Sequence, residues 1–264
     1  MVDTHSHILP GIDDGARTLE DSLELCRIAS ADGITSLVAT PHVMEYRYPN
    51  NRESIEGAFE SLREAMAGEG IPLELVKGAE VHVAADIVER LKGGELLTYN
   101  DNGRYMLLEF PFQQIVTGTE EIVYRIRLAG VTPVIAHPER IGFFMDDPSR
   151  LRKLIALGAL ASITGGSLLG RFGERSERAA WKMIEGGLGH VVASDGHDSR
   201  HRPPVLRAAA EAIAGRLGEE QAREMCESRP ASLVAGEDID VPLPEEPVPA
   251  RGLKGALSRF FSRS

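Results

Sequence analysis

The sequence predicts a parallel α/β fold, arranged as a distorted (β/α)7 barrel. Seven short apolar, β-rich runs alternate with stretches of helical periodicity, which is the pattern of successive strand–helix units. Acidic or imidazole side chains stand at or just beyond the ends of six of these seven runs. The carboxyl ends of the strands of a barrel meet at one rim, whereas an open sheet would gather such side chains at one crevice. The spread of these side chains therefore favours the barrel.

The elements follow in order along the chain. The predicted strands are Val2–His5, Ser36–Thr40, Leu73–Gly78, Tyr105–Phe110, Pro133–His137, Ala159–Thr164 and His190–Ser194. The predicted helices are Leu19–Ala31, Glu53–Ala67, Thr119–Ala129, Ser149–Leu157, Ser176–Glu185 and Pro204–Leu217. Residues 18–21 of the first helix resemble a capping box with Asp in place of Glu. Several helices are followed by a glycine, as a helix C-terminus favours.

Composition limits the class of protein. With 264 residues, 42% of them hydrophobic, the chain can bury a substantial core. A net charge of -11 argues against a broad nucleic-acid-binding face, so no nucleic-acid partner is expected. Cys26 and Cys226 lie far apart, without the spacing of a metal site, and both fall in helical patterns typical of packing residues. Because neither a signal sequence nor an 18-residue apolar run is recognisable, a cytoplasmic location is expected.

The chain divides into three predicted parts. Residues 1–235 form the barrel, residues 236–250 an acidic, proline-rich linker, and residues 251–264 a basic tail. In the tail, apolar residues recur at helical spacing on one face among basic ones. Such a helix could hold the protein at the periphery of an anionic membrane. The alternative is a terminal helix that packs on the barrel or frays in solvent.

The candidate site residues are those at the ends of the strands. His5 and His7 are two apart on a strand, so their side chains point to one face and can bind one ion together. Asp195 and His197 repeat this spacing after the last strand, although a solvated Asp and His would give the same pattern. The complete set of candidate metal ligands is His5, His7, Asp14, His42, Glu80, Glu109, His137, Asp195 and His197. It predicts a multinuclear, metal-dependent hydrolase.

Glu80 and Glu109 emerge from apolar strands, where an unpaired carboxylate is costly and is usually bound to a metal or paired with an arginine. His42 and His137 occupy the same kind of position, and each alone could be a core histidine. Other phosphatase chemistries fit poorly. Neither cysteine is followed after five residues by the arginine of a cysteine-dependent phosphatase, and no GK[ST] phosphate loop is present.

Several motifs carry a family resemblance: HSHILPGIDDG, ATPH, GAE, LLEFP, AHPER, ITGGSLLGRFG, and ASDGH followed by RPP. Together they resemble the polymerase-and-histidinol-phosphatase (PHP) superfamily. Within it they are most similar to the bacterial manganese-dependent tyrosine-protein phosphatases of capsule and exopolysaccharide synthesis. The resemblance covers roughly residues 1–235 and implies a distorted (β/α)7 barrel of the PHP type with a trinuclear site.

The resemblance also implies a division of the ligands. His5, His7, Glu80 and Asp195 would hold the first ion; Glu80, Glu109 and His137 the second; Asp14, His42 and His197 the third. Asp13 is the alternative to Asp14. Mn2+ is the expected metal, with Fe or Zn as alternatives, in three ions per chain. Arg140 and Arg202 are the expected catalytic residues, because a guanidinium can bind two phosphoryl oxygens at once.

The implied substrate is a phosphotyrosine protein, namely the tail of a membrane-associated bacterial tyrosine kinase. Two alternatives stay open. One is a PHP-type small-molecule phosphatase such as histidinol-phosphatase, with the same site and a smaller substrate. The other is a binding module that the metals stabilise without catalysis, against which the complete ligand set and the two arginines argue.

Overall fold

The computed structural model describes residues 1–114 and 116–241. Most of the predicted linker and the whole basic tail lie outside the described residues. The strands within them are β1 Val2–Ser6, β2 Ser36–Ala39, β3 His42–Val43, β4 Glu74–Lys77, β5 Glu80–His82, β6 Tyr105–Glu109, β7 Thr132–Ala136, β8 Leu160–Thr164 and β9 Val191–Ala193. The α-helices are α1 Leu19–Asp32, α2 Arg52–Glu69, α3 Ile87–Lys92, α4 Thr119–Leu128, α5 Gly142–Asp146, α6 Pro148–Ala156, α7 Gly165–Leu168, α8 Glu174–Glu185, α9 Arg207–Leu217, α10 Glu219–Arg223 and α11 Arg229–Ala235.

The strands form two parallel sheets, in the orders β1-β2-β4 and β3-β5-β6-β7-β8-β9. Every pair of neighbours within these sheets is parallel. The predicted parallel α/β class is therefore confirmed. Parallel pairing requires a crossover between successive strands, which the amphipathic helices supply.

The seven predicted strands are present, and two further short strands were not predicted. The second and third predicted strands each lead into a further short strand, so that β3 follows β2 and β5 follows β4. Pro41 interrupts the first of these units because proline has no N–H to donate to a neighbouring strand. At the second break, a Cβ on Gly78 would lie 3.0 Å from Val38 Cγ1, so the close approach of these two segments favours glycine at this position.

The carboxyl end of β1 makes backbone hydrogen bonds on both sides, to β2 of its own sheet and to the segment that follows β9 of the other sheet. Thr40 N–H donates to Ser6 O over 2.8 Å on one side of β1. On its other side, Asp195 N–H donates to His5 O over 2.9 Å and His7 N–H donates to Gly196 O over 2.8 Å. The end of the first strand therefore lies between the end of the second and the end of the last.

The predicted helices are present with shifted bounds. Thr18 caps α1 as expected, since its side chain accepts from Asp21 N–H and the Asp21 carboxylate accepts from Thr18 N–H, both over 3.2 Å. The last predicted helix begins at Arg207 rather than at Pro204. There the Asp32 carboxylate accepts the N–H groups of Leu206 and Arg207, which fixes the start of α9 against the end of α1.

The core has two parts. The larger cluster lies between helices and sheets and includes Cys26 and Cys226, both free and buried, as their predicted packing role requires. The smaller cluster takes residues such as Val38, Val134 and Val191 from the other face of the strands. Within the described ranges, no helix combines the length and apolarity that a membrane crossing needs.

Candidate metal centre

The nine predicted ligands converge at the carboxyl edge of the strands. His42 and Glu80 begin β3 and β5, Glu109 ends β6, and His137 directly follows β7. Eight of the nine are buried, and the exception is Asp14, whose side chain is 40% exposed. His137 and Asp195 have φ angles of 34° and 54°, a left-handed conformation that residues other than glycine seldom adopt. The surrounding structure therefore holds these two residues in strained positions.

The deepest group consists of His5, His7 and Glu80. The two Nε2 atoms of the histidines are 3.1 Å apart, and each lies 3.3 Å from Glu80 Oε2. Asp195 Oδ1 completes this group at 3.4 Å from His5 Nε2 and 3.5 Å from His7 Nε2. The four residues that the resemblance assigns to one ion therefore lie together.

A second group surrounds Glu80 and Glu109. His137 Nε2 lies 3.0 Å from Glu80 Oε1 and 3.7 Å from Glu109 Oε1. His42 Nδ1 approaches the same two carboxylates, at 3.0 Å from Glu80 Oε2 and 3.7 Å from Glu109 Oε2. His42 thus faces two candidate ion positions, which the spacing of its motif in the sequence did not reveal.

The third group lies toward solvent and consists of His7, Asp14, His42 and His197. Asp14 Oδ1 lies 3.5 Å from His42 Nε2 and 3.6 Å from His197 Nε2. His197 Nδ1–H donates to the Asp195 carbonyl oxygen over 2.9 Å, which leaves Nε2 free to act as a ligand.

The nitrogen and oxygen atoms of the cluster are arranged as ligands of bound cations rather than as hydrogen-bond partners of one another. Glu80 Oε2 and His42 Nδ1 are buried and have no hydrogen-bond partner, although they are only 3.0 Å apart. Two ligands at about 2.1 Å from one ion are themselves about 3.0 to 3.4 Å apart for octahedral or tetrahedral angles. The separations between Glu80 and the four histidine rings around it, 3.0 to 3.3 Å, match this spacing. A set of imidazole nitrogens and carboxylate oxygens suits Mn, Fe or Zn.

The electrostatics of the cluster favour ionised carboxylates. Burial opposes ionisation of Glu80 and Asp195, but the nearby histidines hold both pKa values well below their usual range, and arginines contribute at Asp195. Burial, together with the charge of His7, lowers the pKa of His197 to about 4. Both carboxylates and the His197 imidazole therefore have the protonation states that metal binding requires. Although burial opposes it, the pKa values of His7 and His137 are raised, chiefly by Asp13 and Glu80 respectively, so a bound cation would displace a proton from each of these rings.

Asp13 and Asp14 have different environments, although they are adjacent in the sequence. The Asp13 carboxylate is buried and accepts from His7 Nδ1–H at 2.8 Å, from Gly15 N–H at 2.9 Å and from His42 N–H at 3.1 Å. A Cβ on Gly15 would lie 1.8 Å from His7 O, so glycine is needed for this tight loop. Asp13 therefore orients two candidate ligands from behind, while Asp14 faces His42 and His197.

Arg140 and Arg202 lie beside the cluster. Both guanidinium groups donate to Asp195 Oδ2, Arg202 over 2.6 Å, while the other oxygen of Asp195 faces the histidines. Arg202 Nε is buried without a hydrogen-bond partner. The ring of Phe172 lies against both arginines, with its centroid 4.2 Å from Arg140 Cζ and 5.7 Å from Arg202 Cζ. The guanidinium groups of Arg140 and Arg202 are therefore held in place at the edge of the cluster.

Sequence reasoning did not single out three residues of this region. His82 Nδ1 lies 3.2 Å from Glu109 Oε2, and its two-residue spacing from Glu80 could have indicated it. Glu139 is fully buried, and its Oε1 accepts from Thr164 N–H at 3.0 Å and from the Ser167 hydroxyl at 2.7 Å. Glu139 thereby fixes the turn that carries His137 and Arg140. Phe172 belongs to the ITGGSLLGRFG motif, but the motif gave no role for its side chain, whose position depends on the packing of a loop.

Buried imidazoles and carboxylates at the carboxyl edge of a parallel sheet are characteristic of metal-dependent hydrolases. Two arginines beside them suit an anionic substrate. Within that class, the chain belongs to the family described as capsular polysaccharide synthesis, CpsB/CapC, which matches residues 1–235.

Individual relatives extend over nearly the whole chain. The tyrosine-protein phosphatase YwqE of Bacillus subtilis is 35% identical over 255 residues, which cover 97% of this chain and 99% of the relative. The tyrosine-protein phosphatase CpsB of Streptococcus pneumoniae is 33% identical over 243 residues, covering 89% and 98% of the two chains.

The fold has solved counterparts. A crystal structure from work on YwqE of Bacillus subtilis and CpsB of Streptococcus pneumoniae, described as unique metal-dependent tyrosine phosphatases, has a TM-score of 0.89 and 33% identity. It covers 94% of this chain and 100% of that one. The lactonase Lmo2620 of Listeria monocytogenes has a TM-score of 0.54 at 14% identity, covering 90% and 95% of the two chains, a likeness of fold alone.

Proposed function

We propose that this protein hydrolyses phosphotyrosine in proteins and needs divalent cations to do so. The observation that carries the proposal is the buried cluster around Glu80, in which ionised carboxylates and imidazoles lie at ligand–ligand distances beside two arginines. The relatives named as tyrosine-protein phosphatases support the substrate class.

The proposed architecture is a distorted (β/α)7 barrel of the PHP type, formed by residues 1–235. Counting β2 with β3 and β4 with β5 leaves seven strand units, whose neighbours follow the order of the chain. Hydrogen bonds between the ends of β1 and β9 support closure of the ring. In such a barrel the carboxyl rim carries the active site.

Three Mn2+ ions are proposed, with Fe or Zn as alternatives. His5, His7, Glu80 and Asp195 would hold the first ion; Glu80, Glu109 and His137 the second; Asp14, His42 and His197 the third. The position of His42 between the last two groups supports a shared or neighbouring role for its ring. Bound cations would act as Lewis acids and lower the pKa of water toward neutrality, supplying a nucleophile for phosphorus.

The chain's own residues supply the rest of the chemistry. Arg140 and Arg202 would bind the phosphoryl oxygens, over which negative charge is spread in the transition state. Asp195 positions both guanidinium groups by accepting from each. The tyrosine product leaves as a phenolate of pKa near 10, so a strong general acid is less necessary than for an alkyl ester. Neither cysteine serves as nucleophile, since both are buried in the core.

The proposed protein substrate is the phosphorylated tail of a membrane-associated tyrosine kinase, met in the cytoplasm. The basic tail 251–264 is proposed to add peripheral contact with an anionic membrane. Deleting residues 251–264 should then leave turnover of a soluble phosphopeptide unchanged and reduce co-sedimentation with phosphatidylserine vesicles, more so at low salt. Equal sedimentation of both proteins would contradict the membrane contact.

A substrate panel tests the function. Protein stripped of metal and reloaded with Mn, Fe or Zn is assayed with a phosphotyrosine peptide, the matching phosphoserine peptide and histidinol phosphate. We expect the phosphotyrosine peptide to be the best substrate, and activity to disappear on chelation. Preference for histidinol phosphate would favour a small-molecule phosphatase, and metal binding without turnover would favour a binding module.

A further inference from the structure

An exposed aromatic ring stands at the mouth of the metal centre. Phe112 lies in the loop that follows β6, three residues after Glu109, and is 40% exposed. Its ring stacks on that of His137, with centroids 5.2 Å apart and planes inclined by 12°. A single exposed apolar side chain is common at protein surfaces, so the groups that Phe112 borders decide whether it has a role.

Phe112 also borders the proposed phosphoryl-binding group. Arg140 Cζ lies 5.3 Å from the centroid of the Phe112 ring. The Phe112 carbonyl oxygen accepts from Gly142 N–H over 2.9 Å, which ties this loop to the turn that carries His137 and Arg140. The Phe112 ring is therefore held in a fixed position relative to His137, a candidate metal ligand, and to Arg140, which is proposed to bind the phosphoryl group.

Other rings near the centre are less available. Tyr48 stacks on His42 with centroids 5.3 Å apart, but the residue is half-buried. Phe172 is half-buried as well and supports both arginines. Of the three rings, Phe112 has the most surface open to a substrate.

We propose that Phe112 is a specificity-determining residue, the flat wall on which the phenyl ring of the substrate lies, so that aryl phosphates are preferred to alkyl phosphates. The inference rests on the proposed phosphatase function. With phosphate bound at Arg140, the phenyl ring of phosphotyrosine begins one ester oxygen away, beside the exposed ring. Phosphoserine places no ring there. Stacking of two aromatic rings changes affinity by about two- to tenfold.

The test compares Phe112→Leu with Phe112→Tyr in the full-length, metal-loaded protein. The measured quantity is kcat/KM for a phosphotyrosine peptide divided by that for the matching phosphoserine peptide. We expect Phe112→Leu to lower this ratio by about two- to tenfold, mainly through KM, and Phe112→Tyr to retain it. Tyr124→Leu is a matched control, because Tyr124 is 48% exposed on α4, outside the candidate site.

Binding and metal content provide independent readouts. Calorimetry with phenylphosphonate and methylphosphonate should show that Phe112→Leu weakens only the phenyl ligand. An unchanged ratio and unchanged phenylphosphonate affinity would overturn the proposal. So would loss of metal from Phe112→Leu, since the ring would then serve only to pack against His137. If the unmutated protein does not hydrolyse phosphotyrosine, the proposed function fails. The affinities of the two phosphonates still test whether Phe112 binds a phenyl ring.

Discussion

Replacing Asp13 with asparagine is expected to weaken metal binding without removing a ligand. The two oxygens of Asp13 accept from three donors: His7 Nδ1–H, His42 N–H and Gly15 N–H. Asparagine offers one acceptor oxygen and a donor NH2 group in the same space. At least one of the three donors must therefore face another donor in a buried site, which costs about 1 to 3 kcal/mol.

The result should be a loss of metal affinity of about 10- to 100-fold, the usual effect of removing the hydrogen bond behind a metal-binding histidine. The affinity is measured by competition with a metal-buffering chelator, and the number of ions by elemental analysis at saturating metal. Asp13→Asn should keep the full number of ions at saturation. Asp14→Asn should instead lower that number, because Asp14 faces the third group directly.

Asp146→Asn is the control, since the side chain of Asp146 is 72% exposed and pairs with Arg175 at the surface. It should leave both measurements unchanged. Unaltered affinity in Asp13→Asn would refute the reasoning. A reversed outcome, in which Asp13→Asn loses an ion and Asp14→Asn does not, would make Asp13 the ligand.

Three further predictions concern catalysis, stability and thiol chemistry. Arg140→Ala should keep the metal content and raise the activation barrier by about 2 to 4 kcal/mol, seen as a fall in kcat/KM; loss of ions would instead show that the residue serves to hold Asp195 in place. Burial lowers the pKa of His190 from 6.5 to about 4. As the pH falls through this range, His190 becomes protonated in the unfolded chain but stays neutral in the folded one, so the free energy of unfolding decreases by about 3 kcal/mol. In His190→Asn the side-chain oxygen can still accept from Ala161 N–H. The free energy of unfolding, measured with urea, should therefore depend less steeply on pH between 6.5 and 4 than in the unmutated protein, and equal slopes of the two pH profiles would contradict this. Burial raises the pKa values of Cys26 and Cys226 to about 12, so alkylating reagents at neutral pH should leave activity intact; inactivation of the folded protein at the rate of thiol modification would oppose a metal-based mechanism.

The arrangement of the third group illustrates where sequence reasoning stops. The motif containing Asp13 and Asp14 predicted one ligand without deciding between neighbours on physical grounds. Their separation depends on a turn in which Gly15 packs against the His7 backbone, directing Asp13 inward and Asp14 toward His197. Likewise, the spacing of the motifs could not show that His42 approaches both Glu80 and Asp14.

Local pattern was sufficient for the elements and for the candidate ligands. The alternation of apolar runs with amphipathic segments determined the parallel α/β class, because strand and helix periodicities are properties of neighbouring residues. The position of histidines and carboxylates at strand ends determined that they would meet at one edge. Only the tertiary structure decided which donor atoms face one another, that β3 and β5 follow the second and third predicted strands, and that Phe112 lies beside Arg140 and Phe172 beside both arginines. Those relations depend on distances of a few ångströms between segments far apart in the chain, and packing of the whole fold sets such distances.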